Sequence, residues 1–253
     1  MAGGRSDGTS AFTDGAGERV GSHFFGQSSF SAHAIAAERS VVKVDPTLDL
    51  ARLGPLGCGI QTGAGAMLNT LDVQAGQSVV IAGAGALGLA AVMAAKTVDA
   101  GQIVAIDRHE SRLELATRYG ATHVISGDPA DFAPQIIDAT GGGADYAFDA
   151  TGNPTVCRAI FEGLHNLGTL GLAGVGFGEI TFSHISLIGG RTITGVMEGD
   201  SIPSEFIPRL AAMNAAGEFP FHELITEFAF DDINAAEAAS ASGEVIKPVL
   251  TFA

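Results

Sequence analysis

The sequence predicts an α/β fold, a doubly wound parallel sheet of six strands, and three observations support this. From residue 78 onward, apolar stretches of strand length alternate with helical patterns. That order produces a parallel sheet with right-handed crossovers. The first of these strands runs into the turn Gly83-x-Gly85-x-x-Gly88 and then into a helix. The second strand ends directly before Asp107.

The glycine turn indicates a dinucleotide-binding site, and with it a Rossmann sheet. Gly83 permits the backbone reversal, Gly85 lets the main chain approach a pyrophosphate, and Gly88 lets the helix pack closely on the strand. The N–H groups at the start of the helix would then face the anion. Asp107 lies 24 residues after Gly83, where a ribose-binding carboxylate is expected. A carboxylate there would repel a 2′-phosphate, so we predict NAD over NADP, with Arg108 leaving NADP open.

The remaining elements follow from the same alternation of patterns. After the strand that ends at Ala82, we predict strands at 102–106, 122–125, 146–149, 169–174 and 192–196. The helices between them are predicted at 89–97, 109–119, 132–140 and 155–164. The last part of the chain is predicted to contain helices at 206–216 and 233–240 and strands at 225–230 and 248–252.

The first 60 residues show weaker patterns. Residues 1–20 are rich in Gly, Ser and Asp and are predicted to be loop. Residues 29–36 alternate imperfectly and residues 41–44 are strand-like, so short strands are expected there. A helical turn is predicted at 48–53, capped by Asp45 or Thr47. The glycine-rich residues 57–66 are expected to lead into a helix that ends near Leu71.

Composition excludes several classes of partner. The 253 residues carry 13 basic and 28 acidic side chains, a formal charge of −15, which disfavours nucleic acid and anionic membranes. No apolar run approaches the roughly 20 residues of a transmembrane helix, and residues 1–8 lack the apolar core of a secretory signal. The two cysteines, Cys58 and Cys157, argue against a disulfide framework and predict a reducing, cytoplasmic location.

Five motifs occur in the order found in zinc-dependent medium-chain alcohol dehydrogenases, and the chain resembles this family over essentially its whole length. The closest resemblance is to the aryl-alcohol (benzyl alcohol) dehydrogenase group. The motifs are Gly57-Cys58-Gly59-x-Gln61-Thr62-Gly63-x-Gly65, the glycine turn that begins at Gly83, Asp149-Ala150-Thr151-Gly152, Gly199-Asp200 and Ile246-Lys247-Pro248-Val249-Leu250.

The resemblance implies that Cys58 is a ligand of a catalytic zinc ion. Considered alone, a single cysteine is more often a small buried hydrophobic residue. Such a zinc site needs three protein ligands. The family's other two, a Cys and a His, and its four-cysteine structural zinc lobe lie in a GroES-like β-rich domain before the point where this chain begins. No Cys precedes Cys58, and His23 and His33 match neither ligand. We therefore expect an N-terminally truncated member of the family.

The resemblance also divides the chain into three parts. Residues 1–59 are expected to be the remnant of the GroES-like catalytic domain, with its strands and helices. Residues 60–198 form the NAD-binding Rossmann domain, and residues 199–253 return to the catalytic domain. Strand 192–196 is expected to pair with a second copy, which gives a homodimer or a homotetramer, although an internal strand is the alternative.

Several residues of the cofactor site are implied by the resemblance. Leu87 would back the nicotinamide ring, Thr62 would place a hydroxyl near that ring, and Arg112 would lie beside the ribose. Lys247 would reach the pyrophosphate. A solvated surface charge is the alternative for both Arg112 and Lys247. Ligands of open parallel sheets lie beyond the carboxyl ends of the strands. The loops at the ends of the predicted strands 146–149 and 169–174 therefore add three more residues to the predicted site. These residues are Thr151, Gly174 and Val175.

Two hypotheses about function follow. In the first, the protein is an NAD-dependent dehydrogenase of primary, aromatic alcohols, with Cys58 and Thr62 in the catalytic site and an alcohol or aldehyde as the small-molecule substrate. Zinc would polarise the alcohol, and hydride would pass to the nicotinamide. In the second, the chain is a non-catalytic NAD-binding fragment that lacks the zinc site.

Overall fold

The structure is a computed structural model, and it describes residues 5, 7–22 and 30–252. The chain divides into two compact units, residues 1–45 with 252–253, and residues 46–251. The described part of the smaller unit contains a hairpin of two short antiparallel strands, β1 (Phe12–Thr13) and β2 (Arg19–Val20). The Asp14 side chain accepts backbone hydrogen bonds from Ala16 and Glu18 and forms the turn between them.

The strand predictions for this region are wrong where they can be compared. Residues 30–36 and 41–44 contain no strand, and a 3-10 turn at Glu38–Ser40 separates them. Their imperfect alternation finds no partner strand among the described residues, and isolated strands are not stable. The hairpin lies within residues predicted to be loop. Ser29 and His23 lie outside the described residues.

The larger unit is organised around a six-stranded parallel sheet, as the sequence predicts. The strand order is β5-β4-β3-β6-β7-β8, so the chain reverses its direction of winding between β3 and β6. The strands are β3 (Ser78–Ala82), β4 (Gln102–Ile106), β5 (His123–Ile125), β6 (Ala144–Asp149), β7 (Leu164–Leu172) and β8 (Thr192–Gly195).

Helices connect these strands. Each predicted helix is present, with one or two residues of difference at most ends and a start three residues earlier in the first. The helices are α3 (Ala86–Thr97), α4 (Glu110–Tyr119), α5 (Phe132–Thr140) and α6 (Pro154–Glu162). Residue 164 was predicted to end a helix but begins β7. A short further helix, α7 (His184–Ile188), was not predicted.

The core lies on both faces of the sheet. Every residue of β3 is buried, and α3 buries eight of its residues, most of them alanine or other small side chains. On the other face, aromatic and branched side chains of α5 and α6 pack on β6, among them Phe132, Ile136 and Phe161. Burial on both faces explains why the strands are continuous apolar runs rather than alternating ones.

Two helices precede the sheet. The first, α1 (Leu50–Leu53), is capped by the Asp49 side chain, which accepts from the Ala51 N–H, and not by Asp45 or Thr47 as predicted. The second, α2 (Gly59–Gly65), continues into a π-helical turn at Ala66–Thr70. The glycine-rich stretch is thus itself helical. Gly63 serves close packing, because a Cβ there would stand 2.1 Å from the Leu87 carbonyl oxygen.

The last part of the unit contains both predicted helix–strand pairs. These are α8 (Pro203–Ala215), β9 (Ile225–Ala229), α9 (Ile233–Ser242) and β10 (Lys247–Thr251), and β9 pairs with β10 in parallel. The three-part division of the chain at residues 59 and 198 stays a prediction. Among the described residues, no helix combines the length and the apolar character needed to cross a membrane.

Candidate functional site

The predicted site residues collect at the carboxyl ends of the sheet strands. The turn after β3 and the loop after β6 lie next to each other, because β3 and β6 are neighbours in the sheet whose connections run in opposite directions. A crevice opens between such loops, and ligands of open α/β sheets bind in it. The fold therefore places the glycine turn at one wall of a crevice and the Asp149–Gly152 loop at the other.

Each glycine of the turn meets a different local demand. Gly83 has φ +94°, a left-handed conformation that other residues rarely adopt. A Cβ on Gly88 would stand 1.7 Å from the Gly83 carbonyl oxygen, so the first turn of α3 closes directly on the glycine turn. A Cβ on Gly85 would meet no protein atom within 4 Å. The surface of the turn at Gly85 is therefore open to a ligand.

Asp107 follows the last residue of β4 and connects the end of that strand to the glycine turn after β3. Its Oδ2 accepts a hydrogen bond from the Ala84 N–H at 2.7 Å, and its Oδ1 accepts one from the His109 N–H at 2.9 Å. Both oxygens retain a second lone pair, because each carboxylate oxygen can accept more than one hydrogen bond. The carboxylate is thus held in one orientation and can still accept from the two hydroxyls of a ribose.

Arg112 reaches the same crevice from α4. Its Nε is buried and has no hydrogen-bond partner among the described residues. An unpaired buried donor is costly in a folded protein and is often satisfied by a ligand or by water. Arg108 also lines the crevice, and its Nε lies 3.0 Å from His109 Nε2. Asp107, Arg108 and Arg112 thus line the same crevice.

The crevice forms a cleft of about 560 Å³, a size typical of small-molecule sites. Its lining combines charged and apolar residues. It is lined by Gly83, Gly85, Ile106, Asp107, Arg108, Arg112, Gly127, Pro129, Phe132, Ala150, Thr151, Asn153 and Val156. Apolar walls suit a flat base, and the carboxylate, open glycine turn and unpaired Arg112 Nε suit a ribose and a pyrophosphate. The residues present fit a dinucleotide.

A second polar cluster forms around Cys58. Thr62 Oγ1 lies 3.0 Å from the Cys58 carbonyl oxygen and 3.4 Å from Glu198 Oε2, and Gln61 Nε2 donates to that same carboxylate oxygen at 3.1 Å. Lys247 lies close enough to act electrostatically on the Cys58 thiol. Desolvation and the Glu198 carboxylate raise the pKa of Cys58, and Lys247 opposes them. Cys58, Thr62 and Lys247 are thus brought together, away from the lining of the cleft.

The segment that carries Glu198 has an unusual backbone. Glu198, Gly199 and Asp200 have φ angles of +51°, +67° and +47°, and non-glycine residues adopt such angles only at an energetic cost. Contacts with helical residues 59–70 hold residues 198–200 in place. The Asn69 side chain donates to the Gly199 carbonyl at 2.9 Å, and a Cβ on Gly65 would stand 2.4 Å from that oxygen.

The donor set around Cys58 does not fit zinc. Within the described residues, no three His, Cys, Asp or Glu side chains come together in a way that could hold a metal ion. Zinc sites use at least three such protein ligands. We therefore derive no chemical step through zinc from these residues.

The other predicted residues lie between or beside the two clusters. The Leu87 carbonyl packs on Gly63 of α2, and Gly174 packs against the Gly152 N–H. Val175 is 85% exposed on the loop after β7. Of the predicted residues, the structure brings Gly83, Gly85, Asp107, Arg112 and Thr151 to the cleft.

Sequence reasoning missed part of the site. It did not identify Glu198, because the left-handed backbone that directs it to Thr62 has no sequence signal beyond the following Gly199. It also missed the apolar lining residues Phe132 and Val156. Each lies in the first turn of the helix that follows a strand, α5 after β5 and α6 after β6, and that position was the available signal.

Comparison with known proteins agrees with this architecture. A family model described as "Zinc-binding dehydrogenase" matches residues 86–215. A geraniol dehydrogenase from Castellaniella defragrans is 44% identical over 245 residues, which cover 94% of this chain and 65% of that protein. The chain thus spans slightly less than two thirds of this relative's length.

Two solved structures are similar over almost the whole chain. One is an alcohol dehydrogenase zinc-binding domain protein from Burkholderia ambifaria, with a TM-score of 0.92, 45% identity, and coverage of 98% of this chain and 68% of the other. The second is a benzyl alcohol dehydrogenase from Acinetobacter calcoaceticus, with a TM-score of 0.89, 42% identity, and coverage of 95% and 68%. They confirm the resemblance that the sequence motifs indicated.

Proposed function

This chain belongs to the zinc-binding dehydrogenase family, and from that premise we propose that it binds NAD in the cleft and serves the oxidoreductase chemistry of an alcohol dehydrogenase. The observation that carries the proposal is the cleft itself. An open glycine turn, an oriented carboxylate at Asp107 and the unpaired Arg112 Nε converge there. Their chemistry matches a pyrophosphate and a ribose.

The residues of the cleft would divide the work of holding the cofactor. The N–H groups at the start of α3 and the surface at Gly85 would receive the pyrophosphate. Asp107 would accept hydrogen bonds from the adenosine ribose hydroxyls, and Arg112 would lie beside the same ribose. The bound nicotinamide supplies the hydride chemistry. Thr62, Leu87, Gly174 and Val175 are proposed to border the nicotinamide half, and Lys247 to approach the pyrophosphate.

We propose primary alcohols, with aryl alcohols foremost, as the substrate class. The support is that two similar proteins are named as dehydrogenases of geraniol and of benzyl alcohol, both of which are primary alcohols. The Cys58, Thr62 and Glu198 cluster would form part of the alcohol site. We further propose division of the chain at residues 59 and 198, a cytoplasmic location, and self-association through β8.

A titration with NADH tests the cofactor proposal. We expect the chain to bind NADH with modest affinity, and Asp107→Asn to weaken binding by about tenfold, since one carboxylate contributes charged hydrogen bonds to the ribose. The matched control is Asp138→Asn, an exposed carboxylate of α5 that does not line the cleft. Wild-type affinity in Asp107→Asn, or absence of NADH binding by the wild type, would contradict the proposal.

A second function is favoured by the incomplete donor set around Cys58, namely NAD binding without alcohol turnover by this polypeptide. Zinc analysis of the same samples, together with an assay of alcohol oxidation, distinguishes this function from that of a complete alcohol dehydrogenase. We expect less than one zinc ion per chain and negligible oxidation of benzyl alcohol. Stoichiometric, tightly bound zinc together with turnover would favour the complete dehydrogenase over the binding module.

A further inference from the structure

The loop after β6 is organised by a buried charged side chain. Asp149, the last residue of β6, is 1% exposed and is the only carboxylate among the described residues that is buried. A buried carboxylate is stable only when it is hydrogen-bonded or paired. Neither cofactor binding nor the chemistry proposed above uses this side chain, because it does not line the cleft.

The hydrogen bonds of Asp149 account for its burial. Oδ1 accepts from the Thr151 N–H at 3.0 Å and from the Thr151 hydroxyl at 2.6 Å, and Oδ2 accepts from the Gly152 N–H at 2.9 Å. The Cys157 thiol of α6 adds a further hydrogen bond to this carboxylate, and burial together with Asp149 raises the pKa of Cys157. Three of these donors belong to Thr151 and Gly152, two and three residues further along the chain, so the carboxylate folds the loop around itself.

The same residue also holds the neighbouring loop. The Asp149 carbonyl oxygen accepts from the Ala173 and Gly174 N–H groups at 3.0 and 2.9 Å, which ties the end of β7 to the end of β6. Gly152 has φ +65°, and a Cβ there would stand 2.4 Å from the Val175 carbonyl oxygen. The loop that Asp149 folds is therefore the surface on which residues 174–176 rest.

This loop in turn meets the glycine turn. A Cβ on Gly83 would stand 3.0 Å from Thr151 Cγ2, so the methyl group of Thr151 covers the left-handed residue of the turn. Thr151 and Asn153 line the cleft opposite Asp107. A displacement of the loop would change the width of the cleft and the support of Gly83 together.

We propose that Asp149 is a positioning residue of the cofactor site, which sets the conformation of residues 150–153 and through them the far wall of the cleft. The inference rests on the proposed NAD binding. In Asp149→Asn, an amide N–H₂ replaces one carboxylate oxygen and faces backbone donors that it cannot accept from. The loop loses charge-assisted hydrogen bonds, although the cleft lining keeps its composition.

The test compares NADH affinity in two Asp→Asn variants of the same strand. Asp149→Asn is expected to raise the NADH dissociation constant about tenfold, as loss of a charge-assisted contact would. Asp145→Asn removes a carboxylate at the opposite end of β6, where it contacts Ser78 and His165. It is expected to lower the melting temperature and leave NADH affinity within about twofold, so that a purely structural effect is separated from positioning.

A second pair keeps the test decisive if Asp149→Asn does not fold. Thr151→Val removes the hydroxyl that donates to Asp149 and is expected to weaken NADH binding about fivefold. Thr151→Ser retains this hydroxyl but loses the methyl group that covers Gly83, so we expect it to weaken NADH binding less than Thr151→Val does. Wild-type affinity in folded Asp149→Asn or in Thr151→Val, or an equal loss in Asp145→Asn, would overturn the inference. If the wild type itself does not bind NADH, the proposed function fails and this inference with it.

Discussion

Single residues in the glycine turn show how one residue type answers several physical demands. Gly83 supplies a left-handed backbone, Gly85 leaves space toward the cleft, and Gly88 removes a steric obstacle between the turn and α3. The spacing alone predicts these roles, because the turn geometry is common to Rossmann sheets. The structure adds the contacts that each role depends on.

Substitution separates these two roles. In Gly88→Ala, a Cβ 1.7 Å from the Gly83 carbonyl oxygen would force the turn and helix apart. We expect a loss of about 3 kcal/mol or more in the free energy of unfolding, measured by chemical denaturation. The matched control is Gly85→Ala, whose Cβ meets no protein atom, so that it should retain near wild-type stability and lose NADH affinity. Equal stability of the two variants would contradict this assignment.

Other residues show where sequence reasoning reaches its limit. Asp107 could be predicted, because its spacing from the turn and its place after a strand are both visible in the sequence. Glu198 could not, since it comes within 3.4 Å of Thr62 from a position 136 residues away, through a strained backbone. His165 Nε2 lies 2.9 Å from Asp145 Oδ1 on the neighbouring strand, a contact that depends on the strand order and not on any local pattern.

At the scale of elements, the amino ends of three strands are joined by a polar clamp. Asp145 of β6 accepts from the Ser78 N–H and hydroxyl of β3 at 2.8 and 2.7 Å, and its other oxygen contacts His165 Nε2 of β7. Burial acts to raise the pKa of Asp145, but the bonds from Ser78 and His165 outweigh it and lower that pKa. The bond to Asp145 raises the pKa of His165, while desolvation and, to a smaller extent, Arg191 act to lower it.

The clamp predicts a pH-dependent stability. The stabilisation from His165 is complete below the ordinary histidine pKa of about 6.5 and is lost as pH rises through the raised value in the folded state. Since both side chains are about one third exposed, we expect an effect of up to about 1 kcal/mol. Because the pKa of Asp145 is lowered in the folded state, its contribution to stability is fully present above about pH 4.

Denaturation of His165→Gln at two pH values tests this expectation. The variant should be less stable than wild type at pH 6, and the difference should shrink by pH 9, because the wild type has then lost the charged pair. The control is His184→Gln, an exposed histidine of α7, which should show no such trend. A constant difference between wild type and His165→Gln at both pH values would refute the charge-based account.

The elements that the sequence predicted well share a physical property. Strands and helices after residue 78 repeat a local pattern that the packed sheet reinforces, so the errors there are differences at element ends and the missed short helix α7. The glycine-rich segment at 59–65 was expected only to lead into a helix, because glycine disfavours helix formation. Tertiary packing overrides that preference, since only glycine allows α2 to approach the Leu87 carbonyl.

At the scale of the whole molecule, the end of the sheet bears on self-association. β8 is the last strand of the sheet order, and apolar side chains at Ile185, Ile188 and Met197 near it are exposed. Exposed strand edges favour pairing with another chain. The formal charge of −15 opposes association generally, so a specific contact is needed to overcome it.

Size-exclusion chromatography with light scattering measures the molar mass, and with it the oligomeric state. We expect the wild type to elute as a dimer or tetramer, and Thr192→Lys in β8 to shift it toward the monomer, because a charge on a strand edge blocks pairing. Thr226→Lys makes the same change on β9 and should leave the oligomer intact. A monomeric wild type, or dissociation by both variants, would rule out the contact through β8.

The meeting of Gly65 with Gly199 constrains how this protein can evolve. The two main chains touch with no side chain between them, and a Cβ on either residue would stand within 2.7 Å of the other's backbone. No residue is smaller than glycine, so an enlargement at one position cannot be compensated by a reduction at the other. Near Cys58, substitutions are therefore expected only in the side chains around this contact. Gly65 and Gly199 themselves must both remain glycine.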